Sequence, residues 1–269
     1  MKKFLLPAPP NGEGMIRLYE KDHHYLVRVR RLKPGSSFDA ILPDGTEGQV
    51  RVLSTVDNIL IGECLGFTKQ LPSKKIPPIA LFQGLPKGAK MDLIIRQAAE
   101  GGVSVIVPFE SEYSAARMNI QEEKLKRWER IIREARQQSG SSTETCVKPP
   151  CSFDAILEYW ESIKHKFQKP LGLLLHQEPV TPAAEGQNSP IAQGTFHGYL
   201  GNNPDFTALA VGPEGGFSAR EVSLLLAAGF KPLLMGSTIL RTETASLYGT
   251  AAIRIILLER ESWISRPAE

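Results

Sequence analysis

The sequence is poor in cysteine: Cys64, Cys146 and Cys151 are the only three in 269 residues. The number is odd and no pair has Cys-x-x-Cys spacing. That argues against a disulfide framework and a zinc site, and it fits a reducing, cytoplasmic compartment. The five histidines form no His-Glu-x-x-His pair, so a metal enzyme is not expected. No apolar run approaches the roughly 18 residues that a membrane-spanning helix needs. The start, MKKFLLPAPPNGEG, has two lysines and an apolar stub that prolines interrupt at once, so no signal peptide is expected. No internal repeat is evident.

What remains is the composition of a soluble globular protein, 42% hydrophobic and 23% charged. The length allows one or two domains with a proper core. A net charge of +3 says little, but its distribution is uneven. Arg17, Lys21, Arg28, Arg30, Arg31 and Lys33 are opposed only by Glu20 and Asp22. Such a patch suits a phosphate backbone, and it equally suits a strand edge guarded against aggregation. The basic residues of RMNIQEEKLKRWERIIREARQQ alternate with acids. Glu122–Lys126 and Glu129–Arg133 have the i,i+4 spacing that supports a helix.

Up to about Leu71 the chain reads as short β-segments: YLVRVRRL, SSFDAIL, EGQVRVLSTV and NILIGECLGF. KPGS and PDGT supply turns, and the alternation predicts hairpins in a small barrel. KQLPSKKIPP follows as a linker. Beyond Ile79 strands alternate with helices: IALFQGL, KMDLIIRQAAEGG, VSVIVPF, the long charged helix, FDAILEYWESIKHKF, LGLLLHQ and FTALAVG. Strands that apolar, separated by helices, predict a parallel sheet covered on both faces. Gln177 to Asp205, rich in Pro, Gly and Asn, reads as a long loop.

The stretch ALAVGPEGGFSAREV carries a sharper signal. Ser218 and Glu221 have capping-box spacing, Phe217 and Val222 that of a hydrophobic staple, and Gly229 that of a left-handed helix stop. GPEGG therefore lies between a strand's carboxyl end and a helix start, where open α/β sheets bind ligands. Its GxxGG spacing matches neither a dinucleotide fingerprint nor a P-loop, and Glu214 would repel a polyphosphate. LLMGSTILRTETASLYG repeats the layout: a strand at Leu233–Met235, a loop over Gly236–Thr242, then a helix with Thr242 as N-cap and Glu243 at its positive end. Together the two loops offer unpaired main-chain groups to a flat heteroaromatic ligand. Arg241, at the lip of the second loop, serves either that ligand or a structural pair with Glu243.

VGPEGGFSAREV followed by MGSTILRTETA closely resembles the paired C-terminal motifs of the RsmE family, bacterial 16S rRNA (uracil-N3) methyltransferases of the SPOUT, or trefoil-knot, superfamily. HHYLVRVRRLKPG, KGAKMDLIIRQAAEGGVSVIVPF and ARQQSG are similar to further segments of that family, so the resemblance runs over most of the chain. It implies an α/β protein: a small PUA-like RNA-binding β-barrel at residues 1–72, and a SPOUT methyltransferase domain with a deep trefoil knot at 73–269. It also implies S-adenosyl-L-methionine as cofactor, 16S rRNA or the small ribosomal subunit as partner, and a homodimer without metal or membrane.

Carried onto this chain, the resemblance places the cofactor against Leu175, His176, Gly212, Pro213, Glu214, Gly215, Gly216, Met235, Gly236, Ser237, Ile239 and Leu240. Glycines allow the close main-chain approach that reading an adenine edge demands. Glu214 either faces a sulfonium, which tolerates a carboxylate, or is tied down by backbone amides. Arg241 is the candidate for stabilising charge on uracil oxygens. The imide proton goes to Glu243, Glu214 or water. Arg28, Arg30, Arg31, Lys87 and Lys90 are candidates for phosphate contacts.

Ser141 stands where the family's Glu-Gln-x-Gly-Arg has arginine, Ser237 and Thr238 where a basic residue is common, and Gly101 where leucine is usual. Two alternatives follow: a SPOUT ribose 2′-O-methyltransferase, and a non-catalytic ribosome-assembly factor.

Overall fold

The computed structural model describes residues 3–42, 46–68, 76–115, 122–177, 195–236 and 238–264. The chain divides into two compact units, Met1–Ser73 with Arg133–Glu144, and Lys74–Ile132 with Thr145–Glu269.

The first unit holds strands β1 (Phe4–Leu5), β2 (Met15–Leu18), β3 (Ser37–Ile41), β4 (Glu47–Val56) and β5 (Ile59–Thr68). They form one sheet in the order β1-β3-β4-β5-β2, antiparallel except for β1 beside β3. Alternate residues such as Phe38 and Ala40, or Val50 and Val52, point into a core with Phe4, Leu18, Leu26 and Leu60, as a period of two requires. The β4–β5 hairpin turns at Asp57 and Asn58, both left-handed (φ 55° and 58°), the signature of a type I′ turn. The expected PDGT turn spans Pro43–Thr46, of which residues 43–45 lie outside the described residues.

The segment YLVRVRRL is not a strand. Helix α1 (Glu20–His23) leads into a π-helical stretch, His24–Val29, closed by Arg30 N–H donating to the Tyr25 carbonyl at 2.9 Å. Only Leu26 is fully buried, while Val29 is 60% exposed. Tyr25 and Val27 pack partly against the core while Val29 does not, so their alternation marks no strand face. Arg28, Arg30 and Arg31 sit on this helical turn and its exit, Arg31 at φ 56°, instead of on a strand edge.

The second unit follows the expected alternation. Strands β6 (Ile79–Gly84), β7 (Val105–Glu110), β8 (Cys146–Val147), β9 (Cys151–Ser152), β10 (Pro170–Leu175), β11 (Phe206–Val211) and β12 (Lys231–Leu233) form an all-parallel sheet in the order β12-β10-β11-β6-β7-β8, with β9 also on β7. The short β8 and β9 were not expected, and β12 ends two residues earlier than the predicted strand.

Helices α2 (Lys90–Glu100), α3 (Glu122–Ser139), α4 (Phe153–Lys164), α5 (Phe196–Leu200), α6 (Ala219–Ala227) and α7 (Thr242–Ile264) complete the unit, although the second half of α3 belongs to the first. Helix α5 interrupts what reads in sequence as one long loop; residues 178–194 lie outside the described residues. Of the two expected ion pairs on α3, Glu122–Lys126 forms at 2.7 Å. Among the described residues Glu129 and Arg133 are not paired.

One face of the sheet, with Phe82, Phe109 and Phe206, packs on Phe153, Ile156 and Trp160 of α4 and on Val222 and Leu225 of α6. Rings gather there: Phe109 stacks on Phe217 with centroids 6.1 Å apart, and Trp160 lies 5.0 Å from Phe230. Each such pair contributes about 0.5–1.5 kcal/mol beyond burial. The residues of opposite parity face α2 and α7. On that side a Cβ at Gly249 of α7 would stand 2.6 Å from Leu209, so glycine lets the helix lie against β11.

Candidate functional site

The carboxyl ends of β10 and β11 and the loop after β12 meet at one rim. Between them lies a cleft of about 250 Å³, near the lower end of small-molecule sites, about 300 Å³. Its walls include Leu175, His176, Gly212, Pro213, Glu214, Gly216, Met235, Gly236, Ile239, Leu240 and Arg241. Gly215 is not part of the lining, and Ser237 lies outside the described residues. Thr238 and Thr242, of the second loop, line the cleft as well, and Gln177, Val211, Phe217 and Ala245 join them without having been anticipated. Leu233, at the end of β12, is buried and lines a separate cavity beside α5 and α7.

The helix after the first turn starts as the sequence predicts. Ser218 accepts from Glu221 N–H at 3.2 Å, and Glu221 accepts from Ser218 N–H at 2.9 Å. Glu221 does more than cap. Fully buried, it also accepts from Ser111 Oγ and Glu112 N–H, both at 2.9 Å, joining α6 to the β7 exit. At the far end Gly229 (φ 93°) donates to Leu226 and Phe230 to Leu225, a Schellman motif.

The glycine turn is less open than expected. Gly216 N–H donates to the Pro213 carbonyl at 2.9 Å, and the Gly212 carbonyl accepts from Thr242 Oγ1 at 2.6 Å. Thr242 is not the N-cap of α7: the Arg241 carbonyl accepts the first helical bond, from Ala245 N–H at 2.8 Å. That frees the Thr242 hydroxyl to reach across to the other loop. Thr242 Oγ1 also accepts from Gln83 Nε2 at 3.0 Å, and Gln83 Oε1 takes a short bond from Ser246 Oγ. Gln83, Thr242 and Ser246 are all buried.

Charge is arranged at the lip. Glu214 accepts from Lys87 N–H at 3.1 Å and from Lys90 Nζ at 2.8 Å. Partial burial pushes its carboxyl up, but the Lys90 ammonium and the amides of Glu214 and Lys87 outweigh that and hold it below the usual range. Lys90 is raised in turn, chiefly by its hydrogen bond to Glu214. Lys90 Nζ also stands 3.5 Å from Glu243 Oε2, a charge contact too long to give that oxygen a hydrogen bond. Arg241 is exposed, and among the described residues no ion pair or hydrogen bond engages its guanidinium. The structural Arg241–Glu243 pair is therefore not formed.

Of the expected phosphate-binding residues, Arg28, Arg31 and Lys87 are exposed. Arg30 is half-buried with Nη1 enclosed and unpartnered, and the Lys90 ammonium is engaged by two carboxylates. Among the described residues no group of three or more His, Cys, Asp or Glu could hold a metal ion, and no helix is long and apolar enough to cross a membrane.

The family described as RNA methyltransferase domain matches residues 72–254, and the RNA methyltransferase PUA domain matches residues 18–61. The Synechocystis ribosomal RNA small subunit methyltransferase E is 32% identical over 91% of this chain and 74% of that protein. The Bacillus subtilis protein of the same name is 29% identical over 86% of each chain. The fold matches that of a Neisseria gonorrhoeae ribosomal RNA small subunit methyltransferase E, solved with S-adenosyl methionine bound: the TM-score is 0.74 and identity 24%, over 95% of this chain and 98% of that one. With two glycine turns meeting at one rim and the family match covering both, the chain belongs to the RNA methyltransferase family of the ribosomal RNA small subunit methyltransferase E kind.

Proposed function

We propose that this protein transfers a methyl group from S-adenosylmethionine to the N3 of a uridine in 16S rRNA. The observation that carries the reading is the cleft between the two turns, with its apolar walls. Leu175, Val211 and Leu240 suit the faces of an adenine. Gly216 and Gly236, both left-handed (φ 71° and 99°), expose main chain where a side chain would strain the turn. Glu214 and Glu243 are offset by Lys90 and Arg241, so the lip carries no net positive charge, which suits a sulfonium better than a polyphosphate.

The cofactor, when bound, supplies an electrophilic methyl group. The chain's own residues do the rest. Arg241, without a carboxylate partner among the described residues, stabilises charge growing on the uracil carbonyl oxygens. Glu214 is saturated by hydrogen bonds and therefore a poor base. Glu243 Oε2 is enclosed and stands 3.5 Å from Lys90 Nζ, and the imide proton goes to Glu243 or to water.

Residues 1–72 act as the RNA-binding unit, with the exposed Arg28 and Arg31 on phosphates; Lys87, in residues 73–269, is a separate phosphate contact. The apolar side chains Tyr248, Ile255 and Leu258 on α7, each about half exposed, suit a second copy of the chain and hence a homodimer. The strand order, with β12 outside β10, agrees with a segment threaded as a trefoil knot, and an rRNA substrate implies work in the cytoplasm.

Incubation of the purified protein with S-adenosylmethionine and small-subunit rRNA, followed by nucleoside mass spectrometry, tests the proposal. 3-Methyluridine is expected. A ribose-methylated nucleoside alone would overturn the base assignment, and cofactor binding without any product would leave an assembly factor.

A further inference from the structure

The Gly212–Pro213 peptide is hard to anchor. Proline has no N–H to give, and glycine leaves the preceding torsions free. The Gly212 carbonyl is thus the handle by which the start of the turn can be held, and Thr242 Oγ1 holds it at 2.6 Å.

The direction of that bond is fixed from behind. Gln83 Nε2 donates to Thr242 Oγ1 at 3.0 Å and to the Gly84 carbonyl at 2.9 Å, so the threonine oxygen is the acceptor there and its own proton goes to Gly212. The Gly84 carbonyl orients the amide, since it accepts only from Nε2, and leaves Gln83 Oε1 facing the Ser246 hydroxyl, whose one proton also lies within reach of the Thr242 carbonyl at 2.8 Å. Donors therefore run one way, from Gln83 through Thr242 to Gly212. Strand parity explains how Gln83 comes to be there: with Ile79 and Leu81 it faces α7. Next to it, a Cβ at Gly84 would stand 2.5 Å from Pro213 Cδ, so the end of β6 abuts the turn directly.

We propose that Thr242, oriented by Gln83, is a positioning residue that sets the shape of the first glycine turn and ties it to the helix start carrying Arg241. The idea rests on the cofactor reading above for its ligand, but the latch itself can be tested without it. A buried polar chain of this kind costs stability unless every member is satisfied. Its use here is to give a turn built from Gly and Pro a single conformation.

Thr242→Val keeps the shape and removes the donor, whereas Thr242→Ser keeps the hydroxyl. Calorimetric titration with S-adenosylmethionine well below the melting temperature should show Kd raised about three- to tenfold in Thr242→Val, as for loss of one buried hydrogen bond. Thr242→Ser should bind as the parent does. In ligand-free protein, the amide NMR signals of Gly215 and Gly216 should shift in Thr242→Val and stay put in Thr242→Ser. Lower melting temperature with unchanged Kd and unmoved amides would reduce Thr242 to a stability role and overturn the proposal. If the parent itself takes up no S-adenosylmethionine, the cofactor reading falls and the amide signals alone decide the latch. Should Thr242→Val not fold, Gln83→Met is judged on the same two measurements.

Discussion

Lys90 and Glu214 meet at 2.8 Å across 124 positions of sequence. The pairing joins the first residue of α2 to the middle of the glycine turn. It spends the charge of one residue expected to face RNA, and it leaves Glu214 a structural carboxylate at the mouth of the cleft.

The titration of Glu214 should show this. Its folded-state pKa is depressed, so the bridge's stabilisation is present above the ordinary carboxylate value, about 4.5, and is lost as pH falls through the lower, folded value. Lys90 is raised, so its share persists up to about pH 10.5 and is lost as pH climbs past its folded value. Side-chain carboxyl NMR should place the Glu214 midpoint below the usual range. Lys90→Met should move it upward. An unmoved midpoint would assign the depression to the amides alone.

Arg241→Ala should leave the fold intact, because no partner among the described residues is lost; exposed sites of this kind usually change stability by less than about 0.5 kcal/mol. Turnover should fall about 10²–10³-fold, the cost of removing one transition-state donor, with S-adenosylmethionine affinity nearly unchanged. Single-turnover kinetics and calorimetry separate the two. A collapse of affinity with normal turnover of bound cofactor would make Arg241 part of the pocket wall.

At the start of α6 the two halves of the capping box should differ in cost. Ser218→Ala removes a cap worth about 1 kcal/mol. Glu221→Leu strands three donors, Ser218 N–H, Glu112 N–H and Ser111 Oγ, at roughly 1 kcal/mol or more each. Urea denaturation should therefore rank Glu221→Leu well below Ser218→Ala. Equal losses would mean that the link to the β7 exit contributes nothing.

On the first unit, Arg28→Ala should weaken rRNA binding and lower the slope of log K against log salt by about one. Arg28 is a cleaner probe than Arg30, whose enclosed Nη1 mixes packing with charge. An unchanged slope would put Arg28 outside the RNA footprint.

Features set by neighbouring residues were legible in the sequence. Ser218, Glu221 and Gly229 announce both ends of α6 because caps and stops are local chemistry. The apolar strands announce the parallel sheet because covered strands need no polar face. The glycine turns could be placed at a sheet's carboxyl rim for the same reason. The misreading at YLVRVRRL has an equally physical origin: alternation is only a pattern until a strand partner pairs with it, and there Leu26 goes inward with Tyr25, Val27 and Leu32 packed beside it from a helical turn. Thr242 was read as a cap from its type and position, yet its partner is a carbonyl 30 residues earlier. Nothing local reports such a partner. Gln83 did leave a trace, as the lone amide in IALFQG, a strand otherwise apolar or glycine.

The strictly parallel sheet gives the second unit two unlike borders. One carries the glycine turns and Arg241. The other carries plain connectors, such as the bend where Asp205 accepts from the amides of Gln168 and Lys169. A dye or affinity handle attached at Lys166 would sit on that quiet border, a full strand length from the chemistry, and could report on the protein while leaving methyl transfer undisturbed.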